Sequence, residues 1–232
     1  MHVDEAISSR KSVRRFLPTP VSADVVRHIL EVAARAPSGN NVQPWRVYVV
    51  GGECRDKLCG AIVEAASGDP DRHQPEYAYY PTSWFEPCLE RRRRCGFGLY
   101  AALGIARDDK DARQRQMLRN YTFFDAPVGL IVTLDRRLNT GSFMDVGMFI
   151  QNILVAARAQ GLHTCAQAAF AWFHKIAREH LPMAASEMLL CGIALGHEDP
   201  EAPENAFITE RADLSEFASF HGCDVTARSD AA

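Results

Sequence analysis

The sequence predicts an α+β sandwich that forms a single domain over residues 1–232. The chain has 232 residues, of which 47% are hydrophobic and 24% are charged, and this balance is typical of a globular protein with a sizeable core. Apolar runs of strand length are separated from helical patterns by connections that are unequal and often long. Such spacing favours an α+β sandwich over a doubly wound sheet, in which strands and helices alternate regularly.

The first regular elements are a helix and a strand on either side of an amide-rich loop. Apolar side chains recur at helical spacing over residues 22–36. Ser22 can cap the start of this helix, and Pro37 ends it because the residue before a proline leaves the helical region. After the loop, residues 46–50 alternate as a strand does, and a pair of glycines closes them.

Residues 68–111 are the least regular part of the chain, with four prolines, several aromatic residues and the run from Arg91 to Arg94. We predict an inserted segment or lid here, within which residues 92–105 can form a helix. A run of like charges is usually a solvated face. We prefer that interpretation of the four arginines to an anion site.

The second half of the chain is more regular. Residues 128–134 are continuously apolar, as in a strand covered on both faces. A long helix is predicted over residues 142–160, with a capping box that starts at Ser142 and with Gly161 as its stop. Apolar side chains surround much of this helix, so we expect it to be buried. Three segments complete the prediction: a helix over residues 171–180, a buried strand over 189–195 and a disordered tail over 225–232.

Charge and hydropathy exclude several kinds of partner. The chain has 26 Lys plus Arg against 29 Asp plus Glu, a net charge of -3, whereas nucleic-acid binding requires a basic excess. No stretch approaches the roughly 18 consecutive apolar residues of a membrane span. The N-terminus is acidic where a signal peptide is basic and then apolar. We therefore expect a cytoplasmic protein with neither a nucleic-acid nor a membrane partner.

The cysteines and histidines indicate neither disulfides nor a metal site. The seven cysteines are odd in number and never spaced C-x-x-C, which favours reduced thiols. The eight histidines are scattered, and His174 and His180 lack the i, i+4 spacing of helical metal ligands. We expect no bound metal.

A basic segment near the N-terminus is the first candidate binding site. If it forms a helical turn, Arg10 and Arg14 share a face at i, i+4 spacing and, with the Ser12 hydroxyl, can bind one anion. The alternative is a solvated basic N-terminus. In the loop after Pro37, Ser38, Asn41 and Gln43 offer amide and hydroxyl groups to a heterocycle that carries donors and acceptors on one edge. The alternative there is an ordinary turn.

Together these two segments resemble the nitroreductase family of FMN-dependent oxidoreductases. The pattern R-x-S-x-R-x-F matches residues 10–16, and P-S-x-x-N-x-Q-P-W matches residues 37–45. Further similarities lie at residues 124–128, 159–167 and 209–211. The middle insertion and the segment Gly-Leu-His-Thr-Cys are most similar to the branch that contains bacterial nitrobenzoate and nitrobenzene reductases.

The resemblance implies a nitroreductase-like sandwich, with a central, mostly antiparallel sheet flanked by helices. It also implies an obligate homodimer that is centred on the helix over residues 142–160 and holds FMN at the subunit interface.

The resemblance further assigns residues to the cofactor. They are Arg10, Lys11, Ser12 and Arg211 for the phosphate and ribityl chain, Arg14 for the pyrimidine edge, Pro37, Ser38 and Gly39 for the ring or ribityl group, and Asn41 and Gln43 for the pyrimidine side. A backbone N–H from Gln167, Ala168 or Ala169 would point at the reactive flavin nitrogen. The two alanines stand where better-known members commonly have a Glu-Gly pair.

The implied activity is the reduction of a small nitroaromatic acceptor, or of a quinone, with NADH or NADPH as donor in a ping-pong cycle. FMN carries the chemistry, so no catalytic side chain is assigned. The alternatives are dehalogenation, enone reduction or flavin breakdown on the same scaffold, and flavin binding without catalysis. Four aromatic residues could line the acceptor pocket, although we prefer core packing for each: Trp84, Tyr121, Phe123 and Phe124.

Overall fold

The computed structural model describes residues 1–222 and confirms the α+β architecture; the tail predicted over residues 225–232 lies outside the described residues. The strands are β1 (Trp45–Gly51), β2 (Val128–Asp135), β3 (His163–Gln167) and β4 (Glu187–Gly196). The α-helices are α1 (Val3–Ser9), α2 (Ala23–Ala33), α3 (Gly52–Gly68), α4 (Cys88–Ala102), α5 (Lys110–Leu118), α6 (Thr140–Ala159), α7 (His174–His180), α8 (Pro203–Ala206) and α9 (Leu214–Phe217). Short 3-10 helices cover Gly39–Asn41, Pro70–Arg72, Arg119–Asp125 and Ala168–Phe173.

The four strands form one sheet in the order β1-β2-β4-β3, and every neighbouring pair is antiparallel. The two central strands, β2 and β4, are buried along almost their whole length, which explains why the sequence is continuously apolar there. All three predicted strands are confirmed, as β1, β2 and β4. The edge strand β3 was not predicted, because its five residues, HTCAQ, are few and of mixed polarity.

Three helices differ from their predicted bounds. α2 is capped by Ser22 as predicted, but it ends at Ala33 because the following residues form a turn. α4 begins four residues before the predicted segment 92–105. α7 covers only part of residues 171–180, because Ala168–Phe173 forms a 3-10 helix that buries two phenylalanines.

The long helix α6 begins at Thr140, so the capping box predicted at Ser142 is wrong. The Asp145 carboxylate does not cap the helix; its Oδ1 accepts a hydrogen bond from the backbone N–H of Gly39 at 3.2 Å. The helix ends as predicted, with Gly161 in the left-handed conformation at φ 75°.

Several helices were not predicted. The longest, α3, follows β1 directly and buries Leu58, Ile62 and Ala66. Gly60 and two cysteines weaken its helical pattern in the sequence. Packing against the sheet stabilises this helix more than its local sequence does.

The core consists of two layers, one on each face of the sheet. On one face, α2 and α6 cover alternate residues of β2 such as Leu130 and Val132. On the other face, α3 and a set of aromatic rings cover Ile131 and its neighbours. Each central strand is therefore enclosed by apolar side chains above and below.

The aromatic layer depends on two glycines in the central strands. A Cβ atom at Gly129 would lie 2.4 Å from the Phe123 ring, and one at Gly192 would lie 2.4 Å from the Phe170 ring. The two rings stack with centroids 4.3 Å apart. Phe123, together with Phe124, has left-handed backbone dihedrals, with φ 53° at both residues. Because such dihedrals are unfavourable for bulky residues, the close packing of the rings must hold them.

One side of α6 is buried and the other is exposed in this chain. Val146, Phe149 and Ile153 face the sheet, whereas Met144 is 68% exposed and Met148 is 40% exposed. The helix is thus not buried all round by its own chain. No helix within residues 1–222 combines the length and hydropathy needed to cross a membrane.

Candidate functional site

The basic N-terminal segment, residues 10–16, is extended, so the helical turn expected there is wrong. α1 ends at Ser9, and Arg10 has φ -67° and ψ 125°. The Val13 N–H donates to Thr164 O at 3.1 Å, which attaches the segment to the open edge of β3. In an extended chain, residues two apart point to the same side. Arg10 and Arg14 therefore share a side through a strand-like period of two.

The extended segment places two arginines and a hydroxyl around one buried thiol on β3. Cys165 is close enough to Arg14, the Ser12 hydroxyl and Arg10 for each of them to lower the pKa of its thiol. Burial raises the pKa of the Cys165 thiol, and the two positive charges oppose this only in part. The thiol is therefore neutral and lies next to positively charged side chains.

Arg211 joins this surface from the far end of the chain. Burial, and secondly the positive charge of Arg211, lower the pKa of the Arg10 guanidinium. The Arg211 Nη1 donates to the carbonyl and hydroxyl oxygens of Thr209 and to Glu210 O, at 2.8 to 3.1 Å. Within residues 1–222, neither Arg10 nor Arg14 forms an ion pair with a carboxylate. We call Arg10, Ser12, Arg14 and Arg211 the cation cluster; its uncompensated charge suits a bound anion.

Lys11 points elsewhere. Its Nζ lies 2.6 Å from Glu198 Oε1 and donates to Asn205 O at 2.7 Å. Glu198 also contacts His163 Nε2 at 3.1 Å. The ammonium group thus has partners within the chain, and its predicted contact with the phosphate and ribityl chain stays a prediction.

The residues that hold the N-terminal segment in place were not found from the sequence. The buried Asn205 side chain accepts the Arg14 N–H at 2.8 Å and donates to Arg15 O at 2.8 Å. Its neighbour Glu204 accepts from Arg119 Nη1 at 2.7 Å and from Arg15 Nε at 3.3 Å. Burial opposes ionisation of Glu204, but these bonds and a backbone N–H hold its pKa below the ordinary value. No sequence motif marks these residues, because their partners lie between 85 and 191 positions away.

The amide-rich loop, residues 37–43, is exposed and conformationally strained. Asn40, Asn41 and Gln43 have φ values of 49°, 57° and 51°, which are left-handed and unfavourable for residues other than glycine, although asparagine tolerates them best. Gln43 N–H donates to Ser38 Oγ at 3.0 Å, and the Gln43 amide donates to Asn41 O at 3.1 Å. Strain of this kind is concentrated at binding sites.

The structure does not join this loop to the cation cluster of the same chain. The loop, including Pro37, is tied instead to the start of α6 through the bond from Gly39 to Asp145. Among residues 1–222, no hydrogen bond or ion pair connects residues 37–43 with Arg10, Arg14 or Arg211. The predicted site residues therefore fall into two groups within one chain.

A cavity opens where β3 ends, at Gln167, Ala168 and Ala169. Two adjoining parts of it measure about 360 and 440 Å³, the size of small-molecule sites. Gln167 is only 3% exposed; its Nε2 donates to Asn120 O at 2.6 Å, while its Oε1 has no partner among the described residues. The three residues predicted here thus line a cavity with an unsatisfied amide oxygen in its wall.

The aromatic wall of this cavity comes from residues that sequence reasoning missed. Tyr77 and Tyr79 line it, and Tyr77 donates to Leu190 O at 2.6 Å. Burial raises the pKa of both phenols, so they are neutral at ordinary pH. Core packing, the interpretation that we preferred, is confirmed for Tyr121, Phe123 and Phe124, which are buried. Trp84 instead packs near Tyr80 and Arg92.

Neither a metal cluster nor a disulfide occurs in the described part of the chain. Residues 1–222 contain no group of three His, Cys, Asp or Glu side chains that could hold a metal ion. The six cysteines within that range are all free thiols.

Comparison with known proteins gives a consistent result. A model of the nitroreductase family matches residues 7–197. The nitrobenzene nitroreductase of Ectopseudomonas oleovorans is 42% identical over 94% of this chain and 96% of that protein. The 4-nitrobenzoate reductase of Nocardioides sp. strain LMS-CY is 41% identical over 94% of this chain and 89% of that protein.

Solved structures agree with the sequence relatives. The FMN and NADPH-dependent nitroreductase NfnB from Sphigopyxis sp. strain HMH superimposes with a TM-score of 0.93 at 37% identity, covering 96% of this chain and all of that one. The FMN-dependent NfnB from Mycobacterium smegmatis, solved in complex with NADPH, gives a TM-score of 0.89 at 33% identity, over 94% and 97% of the two chains.

Proposed function

This chain belongs to the nitroreductase family, and from this premise we propose that it is an FMN-dependent oxidoreductase that reduces nitroaromatic compounds with NADH or NADPH. The family and the predicted branch are confirmed by relatives that are nitrobenzene and nitrobenzoate reductases. The observation that carries the proposal is the cation cluster, in which three guanidinium groups from distant parts of the sequence have no carboxylate partner within residues 1–222.

The residues present fit the chemistry of FMN. Arg10, Arg211 and the Ser12 hydroxyl would hold the phosphate and ribityl chain, because guanidinium groups bind phosphate oxygens with charge-assisted hydrogen bonds. Arg14 would lie toward the pyrimidine edge and stabilise negative charge there. The cavity bordered by Gln167 would take the flat ring, and backbone N–H groups at the start of the following 3-10 helix would face the reactive edge.

The chemistry follows from the cofactor and needs no acidic side chain. When bound, FMN would supply electron transfer in a ping-pong cycle: each NAD(P)H and one proton convert a nitro group to a nitroso group, with release of NAD(P)⁺ and water. The protein binds and orients the reactants. Tyr77 and Tyr79, neutral and partly apolar, line the same cavity and would give the bound acceptor an aromatic wall that suits a small aromatic compound.

We propose that the active form is a homodimer with FMN at the subunit interface. Two observations support this proposal: α6 exposes Met144 and Met148, and within residues 1–222 the mostly exposed loop 37–43 has no bond to the cation cluster of its own chain. A second copy of the chain can cover the exposed side of α6 and bring its own residues 37–43 to the cation cluster of the first copy. Light scattering should then find two chains of 25.8 kDa per particle.

We also propose a cytoplasmic location, where NAD(P)H is available and free thiols persist.

A substrate assay tests the proposed function. The FMN-loaded protein should oxidise NADPH or NADH steadily only when nitrobenzene or 4-nitrobenzoate is present and oxygen is limited. Quinones and halogenated aromatics serve as competing acceptors in the same assay. If neither nucleotide bleaches the yellow colour of the loaded protein, the protein binds flavin without this catalysis and the proposal is wrong.

Asn41 provides a more local prediction. Replacing Asn41 by glycine keeps the left-handed backbone at φ 57° accessible but removes the amide. If the amide bonds the flavin, affinity should fall by about 2- to 12-fold, the value of one neutral hydrogen bond. Asn40→Gly is the matched control and should leave affinity unchanged. Loss of affinity in Asn41→Ala but not in Asn41→Gly would assign the residue to the turn alone. Fluorescence titration with FMN measures each effect.

A further inference from the structure

The arginine run in the middle of the chain is not simply a solvated face. Arg91 Nη2 lies 2.8 Å from Glu216 Oε2, and Arg94 Nη1 lies 2.7 Å from Glu210 Oε2. Arg92 stacks over the Trp84 ring at 5.0 Å. Two of the four arginines thus connect α4 to a distant part of the chain.

That distant part is the C-terminal segment, residues 207–217, which carries Arg211. Glu210 directly precedes Arg211, and Glu216 belongs to the capping box of α9. A third contact lies at the other end of the segment, where a Cβ atom at Gly98 would be only 2.3 Å from the Phe207 ring. The ring therefore lies directly on the helix backbone.

The three contacts come from one face of α4. Arg91, Arg94 and Gly98 are spaced i, i+3 and i+7, which aligns them along one side of a helix. Their partners along the C-terminal segment lie on both sides of Arg211. The helix therefore holds the segment before and after the arginine that joins the cation cluster.

Such a restraint has a physical reason. In the unloaded protein Arg211 is near enough for its positive charge to lower the pKa of Arg10, which burial lowers first, and like charges in a partly buried site repel each other. The short C-terminal segment buries little of its own surface; Ile208 and Phe217 are both exposed. Without outside contacts the repulsion would favour movement of Arg211 away from the cluster.

We propose that α4 is a positioning helix that holds Arg211 in the cation cluster through Arg91, Arg94 and the Phe207 ring on Gly98. The ligand concerned is the terminal phosphate of FMN, so this inference rests on the proposed function. Arg91 and Arg94 act through Arg211 and do not themselves touch the phosphate. Loosening the contacts should speed the release of FMN more than it changes the chemistry of the loaded enzyme.

The test compares the two partners of one ion pair. Arg94→Ala and Glu210→Ala should each speed FMN release by about two- to fivefold, the range expected for an exposed ion pair. If only the net charge near the phosphate mattered, the two variants would have opposite effects: Arg94→Ala would speed FMN release, and loss of the Glu210 carboxylate would slow it. The Arg94→Ala/Glu210→Ala double variant should be no worse than either single variant. Arg93→Ala, on the same helix but without an ion-pair partner within residues 1–222, is the control and should match the wild type.

The measurements are the FMN dissociation rate, by recovery of free-flavin fluorescence, and hydrogen exchange of residues 207–217 in the unloaded protein. We expect residues 207–217 to exchange faster in Arg94→Ala and in Glu210→Ala than in the wild type. In Arg93→Ala they should exchange at the wild-type rate. Opposite effects of the two partner variants on release, or unchanged release in both, would overturn the inference. If the wild-type protein binds no FMN at all, the proposed function itself fails, so the two failures are distinguishable.

Discussion

Replacing Arg10 by methionine should weaken FMN binding by about 10- to 150-fold, the range for loss of a hydrogen bond to a charged group, while the unloaded protein stays as stable as the wild type or becomes more stable. In the unloaded protein, burial and then the nearby positive charge of Arg211 lower the pKa of the Arg10 guanidinium. Methionine keeps the length and apolar packing of the side chain without that charge. FMN binding should therefore weaken without any loss of stability.

A fluorescence titration with FMN and a thermal melt without FMN measure the two effects. Arg15→Met is the matched control in the same segment, because Arg15 pairs with the buried carboxylate of Glu204. That variant should lose stability and keep its affinity for FMN. Should Arg10→Met destabilise the unloaded protein and spare FMN binding, Arg10 would have a structural role and the cation cluster would not be the phosphate site. Arg211→Ala should release FMN as Arg10→Met does.

Adding one methyl group at Gly192 should destabilise the protein by about 1–3 kcal/mol, as overpacking of a dense core does. The new Cβ would lie 2.4 Å from Phe170 Cδ2, and the ring cannot retreat because it stacks on Phe123. For a protein of this size, each kcal/mol lowers Tm by about 2–4 °C. Phe170 lies in the same 3-10 helix as Ala168 and Ala169, so a displaced ring should also weaken the binding of FMN.

Two further variants make this prediction specific. At Gly60 in α3, a new Cβ would have no neighbour within 4 Å among the described residues, so Gly60→Ala should be neutral or stabilising by up to about 1 kcal/mol. Combining Gly192→Ala with Phe170→Leu should restore part of the lost stability, since the smaller side chain admits the methyl group. Thermal melts at equal protein concentration give the comparison. Equal Tm values for Gly192→Ala and Gly60→Ala would show that the ring is free to move.

Part of the site could be found from the sequence because its chemistry is local. Arg10, Ser12 and Arg14 occur within five positions, and the amide-rich loop is a short motif of its own. The geometry that joins them was predicted wrongly: the N-terminal segment is extended, because Val13 pairs with Thr164 on the edge of β3. That pairing spans about 150 positions, and no local pattern contains it.

The sequence by itself determined the central strands, the long helix and the family. β2 and β4 are buried on both faces, so their burial appears directly as uninterrupted apolar runs. Only the tertiary structure decided which charges meet. Arg211 reaches Arg10, Lys11 turns to Glu198, and Arg91 and Arg94 reach the C-terminal segment, because folding brings together residues that are far apart in the chain. Periodicity records which face of an element is buried, but it carries no information about which distant residue lies opposite.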